Sequence, residues 1–166
     1  MVRVGSDTGH TMRPVDEAER DVAAAVALRL LVDSYARHVD RRDTEAVAGL
    51  FSADGRLVAH FHSGPDGSPT VRTGRDEIAA ALVAGLARYE ATTHVVGGQV
   101  VEVDGEDAKG ETVCLAHHLY RRDGARRLLV MAVRYDDDFV RQSGIWRFAQ
   151  RQLRLDWRDD RPVTER

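Results

Sequence analysis

The chain of 166 residues is poor in cysteine, lysine and long apolar runs. Its one cysteine, Cys114, excludes an internal disulfide and any zinc or iron–sulfur site built from several cysteines. Lys109 is the one lysine among 24 basic residues, so lysine chemistry is excluded almost everywhere. No segment approaches the roughly 18 apolar residues of a membrane span, and the N-terminus lacks the apolar core of a signal peptide. We therefore expect a single cytoplasmic domain without a membrane partner.

A strong charge of either sign is also absent. The 24 basic and 27 acidic residues leave a formal net charge of −3, so no basic surface predicts a nucleic acid partner. A G-x-S-x-G motif is missing, and the apolar neighbours of Cys114 favour a core position for it. The groups left for acid–base chemistry are chiefly His, Asp and Tyr.

Hydrophobic periodicity predicts three helices, at residues 16–42, 44–52 and 75–89. Asp43 is the predicted N-cap of the second helix. The first helix places apolar residues on one face, at Leu28, Leu31, Val32, Tyr35 and Val39. Residues 1–14 have few apolar side chains and end in a proline, which indicates a flexible arm.

Apolar alternation predicts strands, at residues 56–62, 92–103, 111–120, 127–139 and 145–157. Hairpin signals separate the last four strands, at Asp104-Gly105, Asp123-Gly124 and Ser143-Gly144. Asp54-Gly55 is a predicted turn after the second helix, residues 63–74 a loop, and residues 159–166 a charged tail. This order predicts one α+β domain over residues 15–158, in which a curved, mostly antiparallel sheet wraps around three helices and leaves a pocket between them.

Two residues are unusual for their predicted positions. Asp40 lies in the last turn of the first helix, where the helix dipole disfavours a carboxylate by a few tenths to about 1 kcal/mol. It is either a solvated charge beside Arg41 and Arg42 or a functional group. His94 opens a strand on the predicted face of Val96, so it is either a core histidine or a general base oriented by a carboxylate.

Two pairs of histidines remain. His117 and His118 are adjacent on one strand and point to opposite faces, and the more apolar face is that of His117. His60 and His62 share a strand face at a spacing that can chelate a metal. Apart from Asp66, no carboxylate or third histidine follows at a suitable spacing, so no metal site is predicted.

Several segments, in this order, resemble the SnoaL-like branch of the NTF2-like superfamily. They are Ser-Tyr-Ala-Arg-His-Val-Asp-Arg-Arg-Asp (34–43), Leu-Phe-Ser-Ala-Asp (50–54), Gly-Arg-Asp-Glu-Ile (74–78), Thr-His-Val-Val-Gly (93–97) and Gly-Ile-Trp-Arg-Phe (144–148). The resemblance covers about residues 16 to 157. It implies a cone-shaped α+β barrel whose sheet often forms an oligomer interface, so a homodimer or homotrimer through the sheet is expected.

Within that superfamily the chain is most similar to the scytalone dehydratase, bile-acid 7α-dehydratase and lindane dehydrochlorinase enzymes. Their pattern implies that Asp40 orients His94, which abstracts a proton. Tyr35 matches the bile-acid dehydratase pattern, whereas the dehydrochlorinase has lysine there. His118 falls at the second pocket histidine of the scytalone enzyme and is preferred to His117 on that ground. Arg151 matches a functional arginine of the dehydrochlorinase.

The resemblance implies a cofactor-independent, metal-independent lyase that acts on a small hydrophobic carbonyl compound. Dehydration is the first choice, and a polyketide-type cyclase or isomerase of secondary metabolism uses the same proton chemistry. Phe61, Met131 and Tyr135 are expected to shape the substrate pocket, with Arg151 stabilising negative charge. The alternative from another class is a non-catalytic ligand-binding or structural protein of the same fold. The position of the scytalone enzyme's water-holding tyrosine is Val39 here, so that enzyme's substrate is not implied.

Overall fold

The structure, a computed structural model, describes residues 15–61 and 68–163. The predicted arm at 1–14 lies outside these residues, as does His62 of the histidine pair. His60 Nε2 lies 3.1 Å from the Gln152 side-chain oxygen, Oε1.

In the described part of the chain the helices are α1 (Val15–Asp40), α2 (Thr44–Gly49) and α3 (Arg75–Leu86). The predicted apolar face of α1 is confirmed, because all five of its residues are buried. The predicted cap of α2 is confirmed as well, since the Asp43 carboxylate accepts a hydrogen bond from the Ala46 backbone N–H at 3.1 Å.

The described strands are β1 (Phe51–Ala59), β2 (Thr70–Thr73), β3 (Tyr89–Asp104), β4 (Asp107–Arg122), β5 (Ala125–Gln142) and β6 (Ile145–Pro162). They form one sheet in the order β2-β1-β6-β5-β4-β3, with β1 and β6 parallel and every other pair antiparallel. The hairpin predictions are confirmed. In the last two hairpins both turn residues have positive φ, the type I′ geometry that matches strand twist, at Asp123-Gly124 and Ser143-Gly144.

Several boundaries differ from the predicted ones. Asp54-Gly55 lies inside β1, at a bulge in its pairing with β6, because the chain enters the sheet directly at Phe51. Residues 70–73 of the predicted loop form the edge strand β2. The predicted tail is partly strand, because β6 continues to Pro162 and an ion pair of 2.8 Å joins its Asp160 to Arg127 of β5.

The concave face of the sheet packs on the helices and the convex face is turned away from them. The core lies between, around Leu28 and Val32 of α1 and Phe139 and Phe148 of β5 and β6. β3 contains a bulge at Gly97-Gly98, where its register with β4 shifts between Val96 and Gln99. This bulge reverses the facing of the strand, so Val100 is 72% exposed on the convex face rather than beside His94.

Candidate active site

Asp40, the last residue of α1, is hydrogen-bonded to His94 of β3. The His94 ring nitrogen Nδ1 lies 2.7 Å from Asp40 Oδ1, and the His94 backbone N–H donates to Oδ2 at 2.9 Å. The hydroxyl of Thr92, two residues earlier on the same strand face, donates to Oδ1 at 2.9 Å. Three donors from one strand therefore hold the carboxylate, which satisfies a charge that the end of α1 disfavours.

These contacts decide the charge of Asp40 and the tautomer of His94. Burial raises the pKa of Asp40, but the hydrogen bonds from His94 and Thr92 outweigh it, so the net pKa lies below the usual range. An ionised carboxylate only accepts hydrogen bonds, so the proton of neutral His94 sits on Nδ1. The lone pair of the imidazole is then on Nε2, the nitrogen that Asp40 does not engage.

Two arginines fix the distance between α1 and β3. Arg29, in the middle of α1, donates to the carbonyl oxygens of Gly97 and Val96 at 2.7 and 3.3 Å, at the β3 bulge. Arg42, just beyond α1, has φ of 60° and donates to the carbonyl oxygens of Leu86 and Tyr89 at 2.6 and 2.5 Å. The helix end that carries Asp40 is thereby tied to the start of the strand that carries His94.

His94 lines a cavity of about 370 Å³ between the sheet and the helices. Most of its wall is apolar. The apolar side chains come from α1, α3 and the sheet, among them Val39, Leu57, Leu82, Leu86, Val133 and Leu153. The predicted substrate-contacting residues Phe61, Met131 and Tyr135 line it, together with Tyr35 and His118. The structure therefore brings seven of the eight predicted site residues together, with Asp40 directly behind His94.

His118 is the inward member of the adjacent histidine pair. It is 6% exposed, whereas His117 is on the convex face, where its Nδ1 lies 3.3 Å from the Thr93 carbonyl oxygen. The ring of His118 lies 5.7 Å from that of His94, centroid to centroid, and 4.5 Å from that of Tyr89. Burial and the proximity of His94 lower the pKa of His118 to about 4, so this imidazole is neutral at neutral pH.

Tyr35 stays a phenol because burial raises its pKa to about 12. Its ring makes edge contacts with the rings of Phe51, Tyr135 and Phe148 at centroid distances of 6.0 to 6.4 Å. Packing on three sides leaves the side chain little freedom to move.

Arg151, predicted to bind substrate, lies behind the cavity rather than in its wall. The guanidinium is fully buried and forms two hydrogen bonds to Asp137, at 2.8 and 2.7 Å. It lies 4.3 Å from the Tyr35 ring centroid and 4.2 Å from that of Tyr135, and it does not line the cavity. Asp137 neutralises the charge of Arg151. The guanidinium therefore packs against the two tyrosine rings on the side away from the cavity.

Sequence reasoning missed several polar groups near the site, among them Thr92, Tyr89 and Arg88. Strand alternation from His94 would have indicated Thr92. Tyr89 was assigned to the end of the third helix, but α3 ends at Leu86 and Tyr89 begins β3, which turns its ring onto His118. Arg88 precedes it, and its guanidinium carbon lies 4.8 Å from the Tyr89 ring centroid.

No helix in residues 15–61 and 68–163 is long and apolar enough to cross a membrane. Within the same ranges, no three His, Cys, Asp or Glu side chains are grouped so that they could hold a metal ion.

Three helices held against a curved, unclosed, mostly antiparallel sheet, with a cavity between them, form an NTF2-like α+β fold. The chain belongs to the SnoaL-like domain family, whose model matches residues 20–152. An uncharacterized protein of Mycobacterium tuberculosis is 27% identical over 124 residues, which are 74% of this chain and 78% of that protein.

Solved structures with the same fold include enzymes that catalyse eliminations. A presumed scytalone dehydratase from Novosphingobium aromaticivorans superposes with a TM-score of 0.73 at 24% identity, over 89% of this chain and 93% of that one. A hexachlorocyclohexane dehydrochlorinase from Novosphingobium barchaimii gives 0.71 at 18% identity, over 89% and 94%. A protein from Kribbella flavida gives 0.68 at 26% identity, over 86% and 95%.

Proposed function

We propose that this protein is a cofactor-independent lyase that removes water from a small, hydrophobic β-hydroxy carbonyl compound. The observation that carries the proposal is the 2.7 Å contact between Asp40 and His94 Nδ1, which leaves Nε2 for a cavity that His94 lines. A neutral imidazole held by a carboxylate is suited to take a proton near neutral pH. The elimination enzymes among the structural neighbours share the fold, which supports a reaction of this class.

In the proposed reaction Nε2 of His94 removes the proton from the carbon next to the carbonyl, and the bonding electrons move onto the carbonyl oxygen. Asp40 stabilises the imidazolium that forms. The enolate then collapses, the carbon–carbon double bond forms, and the bond to the β-hydroxyl breaks. The imidazolium returns its proton to the departing hydroxyl, which leaves as water, so neither an oxidant nor a second substrate is consumed.

Tyr35 and His118 are the proposed hydrogen-bonding partners of the substrate. The Tyr35 phenol, with its pKa near 12, keeps its proton and can donate to the developing enolate oxygen. His118 is neutral at the working pH and takes part through a hydrogen bond rather than as a cation. Ring closure or isomerisation needs the same first proton transfer, so a cyclase or isomerase remains the second candidate for the same residues.

Proton abstraction can be tested without the natural substrate. 2-Tetralone is a hydrophobic ketone with acidic C–H bonds beside its carbonyl, and ¹H NMR in D₂O follows the exchange of these protons for deuterium. We expect the wild-type protein to accelerate this exchange and His94→Gln to reduce the acceleration by about a hundredfold or more.

His117→Gln is the matched control, because it removes the adjacent imidazole that points away from the cavity. It should exchange 2-tetralone at the wild-type rate. A non-catalytic ligand-binding protein would bind the ketone without accelerating its exchange, and that result would refute the proposal.

A further inference from the structure

The charged side chains that line the described part of the cavity wall are all positive. Among the described residues that line it there are two arginines, Arg72 and Arg88, and neither an aspartate nor a glutamate. Both arginines are exposed, so they lie where the cavity meets solvent, whereas the imidazole of His94 is buried, with 8% of its side chain exposed. The cavity therefore has a cationic mouth and a neutral, largely apolar interior.

Arg88 is on the same wall as the histidines. Its Nη2 donates to the Tyr89 hydroxyl at 2.7 Å, and the Tyr89 ring in turn packs on His118. Arg72 belongs to the edge strand β2, and its Nη1 donates to the Val71 carbonyl oxygen at 2.8 Å. A guanidinium has five N–H donors, so both side chains keep donors for a ligand.

Several arginines of the sheet are ion-paired with carboxylates, whereas Arg72 and Arg88 are not. Ion pairs of at most 2.8 Å join carboxylates to these side chains, among them Arg121, Arg126, Arg127, Arg134 and Arg154. No ion pair joins Arg72 or Arg88 to any carboxylate in residues 15–61 and 68–163. Although the chain has more acidic than basic residues, these two guanidinium groups at the mouth of the cavity form no ion pair with the described part of the chain.

We infer that the substrate carries an anionic group, a carboxylate or a phosphate, which binds to Arg72 and Arg88 while the apolar body enters the cavity. Guanidinium groups recognise both anions through paired N–H donors. A volume of about 370 Å³ is near the lower end of ligand pockets, roughly 300–1,000 Å³, and suits a body of one or two rings.

The anion would fix the orientation of the molecule. With one end held at the mouth, the body can enter in only one direction, which brings the same carbon to His94 Nε2 each time. The catalytic benefit of this orientation rests on the proposed function, in which His94 Nε2 removes a proton from that carbon. The preference for an anion is a binding property and can be measured without turnover.

Isothermal titration calorimetry with 2-naphthoate, 2-naphthamide and 2-naphthyl phosphate tests the inference. The first two have the same rings and differ in charge, and the third separates phosphate from carboxylate. We expect the naphthoate or the phosphate to bind about tenfold more tightly than the amide, the size that two partly exposed ion pairs supply together. The double variant Arg72→Gln/Arg88→Gln should bind all three alike.

Arg141→Gln is the matched control, because Arg141 lies near the C-terminal end of β5 and does not line the cavity. Its side chain is 3.6 Å from that of Glu106. It should keep the preference for an anion. His94→Gln should keep it too, which separates a failure of the proposed chemistry from a failure of this inference. Equal binding of the three compounds by the wild-type protein, binding of none at millimolar concentration, or a preference that survives the double substitution would overturn the inference.

Discussion

The rings of His94 and His118 lie 5.7 Å apart at an interplanar angle of 82°, and their surroundings are opposite. His94 contacts a carboxylate at 2.7 Å, whereas Nδ1 of His118 is buried and has no hydrogen-bond partner among the described residues. Burial of His118 holds its pKa at about 4. The carboxylate can stabilise a positive charge on His94 but not on His118, which supports the proposal that His94 is the base.

Replacing Asp40 by Asn should remove this asymmetry. The amide group can donate to Nδ1 as well as accept from it, so the Nδ1–H tautomer of His94 is no longer enforced. We expect 2-tetralone exchange to fall about a hundredfold, with the circular dichroism spectrum unchanged. Long-range ¹H–¹⁵N spectra should show the Nδ1–H tautomer in the wild type and a mixture in the variant. A wild type with its proton on Nε2 would contradict the assignment.

Stability should fall as the pH decreases from about 6.5 to about 4 because of His118. Its folded-state pKa is depressed to about 4. In this pH window the unfolded chain therefore binds a proton at His118 and the folded protein does not, which favours unfolding. The difference corresponds to about 3 kcal/mol, fully present above the unfolded pKa. Urea unfolding at several pH values measures it.

His118→Gln is the variant for comparison, because the other titrating groups, Asp40 among them, are common to both proteins. Subtracting the two stability curves isolates the effect of His118. If His118 were instead protonated in the folded state near pH 6, the difference between the two curves would not change with pH. That result would contradict the lowered pKa.

Arg151→Met should destabilise the protein by about 3–5 kcal/mol, because it leaves the buried Asp137 carboxylate unpaired. Arg151→Met/Asp137→Leu removes both charges and should recover most of this loss. Urea unfolding tests the pair. A surface role for Arg151 would instead predict a loss below about 1 kcal/mol and no recovery in the double variant.

The expected self-association through the sheet remains a proposal, with a second copy of this chain as the partner. The convex face exposes Val95, Val100 and Trp157, at 52%, 72% and 53%. Val100→Glu should shift the mass measured by light scattering towards the monomer, because burying an unpaired carboxylate opposes association. Val83→Glu, on α3 and 58% exposed, is the control that should leave the mass unchanged. A monomeric wild type would contradict the proposal.

The sequence by itself determined the elements with a regular period and the residue types of the site. The apolar face of α1 and the hairpin turns depend on local spacing, and local spacing can be read along the chain. Asp40 stood out because a carboxylate at a helix end is unfavourable unless something holds it. The order of segments then indicated its partner, His94, 54 residues later.

Only the tertiary structure decided which face of each strand points inward. Alternation separates His117 from His118 but does not say which is inside, and the apolar face proved to be the convex one. Bulges add to this uncertainty, because one extra residue reverses every later side chain. The turn pairs Phe139 with Phe148, but a bulge then pairs Asp138 with Gln150 and Asp137 with Arg151. That shift turns Arg151 inward onto Asp137, and no local pattern in the sequence predicts it.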